Sequence, residues 1–103
     1  MSNIPEITAD ELQEALDSNK EFTVIDVRED EEVEQGVIPT ANHIPLGHIP
    51  EAVGNLDPRK EYIMVCRSGR RSMNASEFLK ENGFEQVHNL KGGMLAWNGE
   101  LVF

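Results

Sequence analysis

The chain has 103 residues, 27% of them charged and 39% apolar, and a formal net charge of −10. That length suits one domain, and the charge opposes non-specific binding to nucleic acid or to anionic membranes. No apolar run approaches the roughly 20 residues of a membrane span, and Met1 to Glu6 lack the basic and apolar blocks of a signal peptide, so a cytoplasmic protein is expected.

Thr8, with Glu11 three positions on, has the form of a capping box and opens a predicted helix over 9–18. Its apolar face is Leu12, Ala15 and Leu16. Phe22 to Val27 reads as a buried strand, followed by the charged segment Arg28 to Glu34, a short helix or loop whose acids form a solvated face. From Gly36 to Pro50 the breakers Pro39, Pro45, Gly47 and Pro50 leave room only for a short extended piece around Asn42 to Ile44. A helix is predicted from Glu51 to Asn55, before an Asp57-Pro58 turn. Glu61 to Cys66 is the clearest strand, with the cysteine at its carboxyl end. A loop, Arg67 to Arg71, then leads into a helix from Ser72 to Asn82 with Ala75, Phe78 and Leu79 on its core face and Gly83 as its C-terminal cap. Gln86 to Leu90 is a short strand, and Lys91-Gly92-Gly93 turns into a helix carrying Met94, Leu95 and Trp97, the tryptophan expected in the core. This alternation predicts an α/β fold, a parallel sheet with helices on both faces.

Charge is distributed unevenly. Twelve of the 19 acids lie between Met1 and Glu34, whereas Arg67, Arg70 and Arg71 directly follow the sole cysteine. A positive island on an acidic protein suggests a site for a small anion. One cysteine excludes an intrachain disulfide, a CxxC redox pair and a cysteine-based zinc cluster. Any adduct on Cys66 must therefore be resolved by a second molecule. Ligands of parallel sheets bind at the carboxyl ends of strands. There, the glycine-containing loop can turn its N–H groups inward as an anion nest, and the helix starting near Ser72 adds its positive pole. Such a thiol should ionise below the ordinary cysteine value. His43, His48 and His88 have no metal-like spacing, and neither metal nor cofactor is expected.

Four pieces, in order, resemble the rhodanese family: Ile25-Asp26-Val27-Arg28-Glu29; Gly36-Val37-Ile38-Pro39 with Ala41-Asn42-His43-Ile44-Pro45; Val65-Cys66-Arg67-Ser68-Gly69-Arg70-Arg71-Ser72; and Leu90-Lys91-Gly92-Gly93-Met94-Leu95-Ala96-Trp97. The resemblance covers roughly residues 5–97 and implies one rhodanese domain over the chain, a three-layer fold with a five-stranded parallel sheet. It also implies a sulfurtransferase that takes sulfane sulfur from thiosulfate or a persulfide onto Cys66 and passes it to an external thiol, cyanide or protein acceptor. Arg67, Ser68, Gly69, Arg70, Arg71 and Ser72 would form the cradle, with Arg67 and Arg71 aiding anion binding and Arg70 more exposed. Asp26 and Arg28 match the family's Asp-x-Arg segment and are expected to support structure, because an acid facing a thiolate would oppose its ionisation. Val37 and Thr40 depart from the family's Gly-His-Ile-Pro-Gly-Ala.

Two rival functions are weighed. Cysteine phosphatases and arsenate reductases carry Cys-x5-Arg, which would need arginine at position 72, where Ser72 stands. A non-catalytic module of the same homology could use the acidic surface to dock a basic partner, but the intact cysteine loop favours the enzyme.

Overall fold

The computed structural model describes residues 3–103. Five parallel strands form one sheet: β1 (Glu6–Ile7), β2 (Thr23–Asp26), β3 (Asn42–His43), β4 (Glu61–Val65) and β5 (Gln86–Leu90), in the spatial order β1-β5-β4-β2-β3. β4 is therefore central. Its side chains alternate between faces, as strand geometry requires. Tyr62 and Met64 pack with Ile25, Val27, Ile49, Ala75 and Leu79 on one face; Ile63 and Val65 pack with Leu12, Val24, Ile38, Leu90 and Trp97 on the other. Both faces are covered, which is why the central strand reads as an unbroken apolar run.

The helices are α1 (Ala9–Asp17), α2 (Asp30–Val33), α3 (Ile49–Ala52), α4 (Arg70–Glu81) and α5 (Gly93–Ala96). The capping box of α1 is present: Thr8 Oγ1 accepts from the Glu11 N–H at 3.1 Å, and Glu11 Oε1 accepts from the Thr8 N–H at 2.8 Å. Gly83, in the left-handed region at φ +92°, ends α4 while the Phe84 N–H reaches back to the Leu79 carbonyl.

Three features differ from the sequence expectation. The two-residue β1 was not predicted; it exists because β5 offers it a parallel edge, with Glu6 opposite Asn89 and Ile7 opposite Leu90. The stretch 46–55 is helical throughout, a 3₁₀ turn at Leu46–His48, then α3, then a second 3₁₀ turn at Val53–Asn55. Pro50 does not prevent this, because it sits in the first turn of α3, where its missing N–H would have no intrahelical partner. Finally, α4 begins at Arg70 rather than Ser72, with left-handed Gly69 at its N-cap.

Candidate active site

Cys66 directly follows β4, at the carboxyl edge of the sheet, and is 1% exposed. From there the chain turns through Arg67, Ser68 and Gly69 into α4, which closes the turn around the sulfur. Sγ accepts hydrogen bonds from the Gly69 N–H at 3.0 Å and from the Ser72 hydroxyl at 3.3 Å. Burial is the largest single influence on the thiol and pushes its pKa up. The Ser72 hydroxyl and the N–H groups of Ser72, Gly69 and Ser68 together outweigh it, so the thiol ionises below its ordinary value. The twelve-residue α4 directs its positive end at the same sulfur.

The amides face inward because the loop's carbonyls are held from outside. The Cys66 carbonyl accepts from the Met94 N–H at 2.8 Å and the Arg67 carbonyl from the Leu95 N–H at 3.0 Å, both at the start of α5. Gly69 O accepts from Asn89 Nδ2 at 2.9 Å. Two glycines make this approach possible. Gly69 has φ +100°, and Gly93 has φ +57° and lies so close to the loop that a Cβ would overlap the Cys66 carbonyl oxygen and come within 2.6 Å of Arg67 backbone atoms.

The arginines divide into two groups. Arg28 is buried and paired with buried Asp26, Nη2 to Oδ2 at 2.8 Å and Nε at 3.0 Å from both oxygens; its Nη2 also reaches the Gly36 carbonyl at 2.8 Å and its Nη1 the Glu32 carbonyl at 3.3 Å. Arg71, expected to face an anion, instead grips Glu32 of α2 with both ends of its guanidinium, at 2.8 and 2.7 Å. That pairing holds the Glu32 carboxyl down at about 2 and raises Arg71 above its usual value. Among the described residues, neither Arg67 nor Arg70 has an ion-pair partner, and both are exposed. Arg67 lines a cleft of about 310 Å³ with Arg28, Glu32, Gln35, Met94 and Leu95.

The structure thus gathers Cys66 to Ser72 into one ring and sets the Asp26–Arg28 pair behind the neighbouring loop. Four contributors lie outside that predicted set: Glu32, Asn89 and the N–H groups of Met94 and Leu95. Asn89 had no distinguishing signal in the sequence, because its strand, Gln86-Val87-His88-Asn89-Leu90, carries a second amide and a histidine. Arg71 and Glu32 are 39 positions apart, and no local pattern joins them.

A family model described as "Rhodanese-like domain" matches residues 8–100. The Bacillus subtilis protein YtwF, provisionally named a sulfurtransferase, is 53% identical over 94% of this chain and 93% of its own length. A protein of Allochromatium vinosum named "Sulfurtransferase" is 33% identical over 91% of this chain and 88% of its own. The crystal structure of a rhodanese-like domain protein from Staphylococcus aureus superposes with a TM-score of 0.90 at 39% identity, covering 97% of this chain and 98% of that one.

Proposed function

We propose, for a chain that belongs to the rhodanese-like domain family, that it is a sulfurtransferase carrying sulfane sulfur on Cys66. The observation that supports this most is the ring of N–H groups around a single, readily ionised sulfur at the end of the central strand. The Cys66 thiolate attacks the outer sulfur of thiosulfate; the sulfur–sulfur bond breaks and sulfite leaves with its electron pair. A persulfide donor reacts in the same way, losing its thiolate. The negative charge then rests on the outer sulfur, where the free cations Arg67 and Arg70 can face it. No second cysteine exists to take the sulfur over, so an external thiolate, cyanide or a protein acceptor attacks the outer sulfur and Cys66 leaves as thiolate.

In this reading Ser68, Gly69 and Ser72 supply donors, Arg67 and Arg70 supply charge, and Arg71, Asp26 and Arg28 hold the surrounding segments. Phosphate chemistry fits poorly, since the guanidinium that would close a tetrahedral oxyanion is engaged by Glu32. Intact-mass spectrometry tests the assignment. Thiosulfate should add one sulfur atom, about 32 Da, to the wild type and nothing to Cys66→Ser. An adduct that persists in Cys66→Ser, or a wild type that takes sulfur from no donor while hydrolysing an aryl phosphate, would sink it.

A further inference from the structure

Ser72 is fully buried and its hydroxyl has one proton, yet two acceptors compete for it: Cys66 Sγ at 3.3 Å and Asn89 Oδ1 at 2.5 Å. The orientation of the Asn89 amide is not free. Its Nδ2 faces the Gly69 carbonyl at 2.9 Å and Glu6 Oε2 at 3.4 Å, both acceptors, so the oxygen must face Ser72. Asn89 is itself 1% exposed, so either partner left without the proton is left without it in a buried place.

We propose that Asn89 is a positioning residue that competes with Cys66 for the Ser72 proton and thereby favours the sulfur-loaded form of the site over the empty thiolate. The inference rests on Cys66 being the sulfur carrier. In the protonated thiol, the S–H can donate to Ser72 Oγ while Ser72 donates to Asn89, and every group is satisfied. In the thiolate, the hydroxyl must abandon one acceptor. In the persulfide, Sγ is a neutral sulfur and the charge has moved to the outer atom, so Ser72 returns to Asn89 without loss. Asn89 thus penalises only the empty thiolate. A less stabilised thiolate is a stronger nucleophile toward the donor and a poorer leaving group toward the acceptor.

The other charges around Cys66 do not depend on this proton: exposed Arg67 and Arg70 in its own loop; Arg71 on α4, paired with Glu32 on α2; Arg28, paired with Asp26 at the end of β2; and Glu6 on β1, which faces Asn89. Asn89→Leu releases the hydroxyl to the sulfur but also cuts the tie to Gly69, and the two consequences have opposite signs. Freed hydroxyl lowers the Cys66 midpoint; a loosened cradle raises it.

The experiment is the pH dependence of Cys66 alkylation in wild type, Asn89→Leu, Ser72→Ala and the double variant, with single-turnover rates of sulfur uptake from thiosulfate and of release to a thiol. Asn89→Leu should lower the midpoint by about one unit, the worth of one hydrogen bond to a charged group. It should also slow uptake about threefold by the usual dependence of nucleophilicity on thiol pKa, and speed release. In the Ser72→Ala background the downward shift should vanish. Ser72→Ala alone should raise the midpoint, since the thiolate loses a donor, but by well under one unit, because Asn89 already holds that hydroxyl at the shorter distance. That second variant decides the matter even if Asn89→Leu does not fold, since a rise of about one unit or more would mean that the hydroxyl belongs to the thiolate. An upward shift for Asn89→Leu of equal size in both backgrounds would make Asn89 a loop tie only. If wild type moved no sulfur at all, the functional assignment would fail, while the alkylation profiles would still report on the contested proton.

Discussion

The segments that follow β2 and β4 leave neighbouring parallel strands at the same edge of the sheet, and both are crowded with charge. After β2, charge is spent inward: Asp26 and Arg28 neutralise each other in the core, and Arg28 ties down the Gly36 and Glu32 carbonyls. After β4, the backbone does the work that the arginines seemed suited to. The sulfur is held by N–H groups and a hydroxyl, while Arg71 is turned away to Glu32 of the other segment. The positive island apparent in the sequence is therefore smaller in the molecule, reduced to Arg67 and Arg70. Side-chain charge builds the wall, and backbone dipoles build the cradle.

The sharpest way to break this contrast is through the backbone packing of the cradle. Gly93→Ala places a methyl group against the Cys66 and Arg67 backbone in a left-handed conformation. The cost should be about 4 kcal/mol, because backbone atoms cannot swing aside as a flexible side chain can. Gly83→Ala is the control: φ is +92°, but nothing lies within 4 Å of the added carbon. Only the conformational term remains there, about 1 kcal/mol. Urea denaturation measures both; equal costs would show that the approach of α5 to the loop is not tight.

A next step attacks the wall. Asp26→Asn leaves the buried Arg28 guanidinium without a counter-charge, which should destabilise the fold by about 3 kcal/mol. Sulfur uptake per folded molecule should stay near that of wild type. Normal stability with lost uptake would instead move Asp26 into the sulfur chemistry.

The same contrast explains what was legible in the sequence. The β2, β4, α1 and α4 elements announce themselves through apolar runs, apolar period and caps, since Thr8, Glu11 and Gly83 act within a few residues of their own position. Cys66 and its loop are legible for the same reason: strand end, glycine and helix start are consecutive. β1 is too short to have a period and is defined by its partner β5. The helical run that follows Pro45 and passes through Gly47 and Pro50 depends on where the prolines fall within a turn, which composition alone does not reveal. The cross-links Arg71–Glu32, Asn89–Ser72 and Met94–Cys66 join distant stretches of chain. They decide which arginines are free and which donors reach the sulfur, and no local pattern contains them.

The smallest expected effect on stability concerns the Arg71–Glu32 ion pair, which joins the two segments. The Glu32 carboxyl is depressed from 4.5 to about 2, chiefly by the hydrogen bonds from Arg71. A folded-state value below the unfolded one means the contact adds stability above pH 4.5, and that contribution is lost as pH falls toward 2. Both side chains are about 30% exposed, 33% for Arg71 and 27% for Glu32, so solvent screening should hold the net contribution to about 1 kcal/mol. Glu32→Gln should therefore lower the melting temperature slightly at neutral pH and flatten its decline between pH 5 and 2. The same substitution removes the carboxylate that neutralises Arg71, whose charge already acts on Cys66. Left with its charge uncompensated beside the loop, Arg71 should lower the alkylation midpoint of Cys66 and the KM for thiosulfate. A higher KM with unchanged stability would reverse the interpretation: Glu32 would then be the residue that holds Arg71 in place to receive the anion, and the wall and the cradle would be one device.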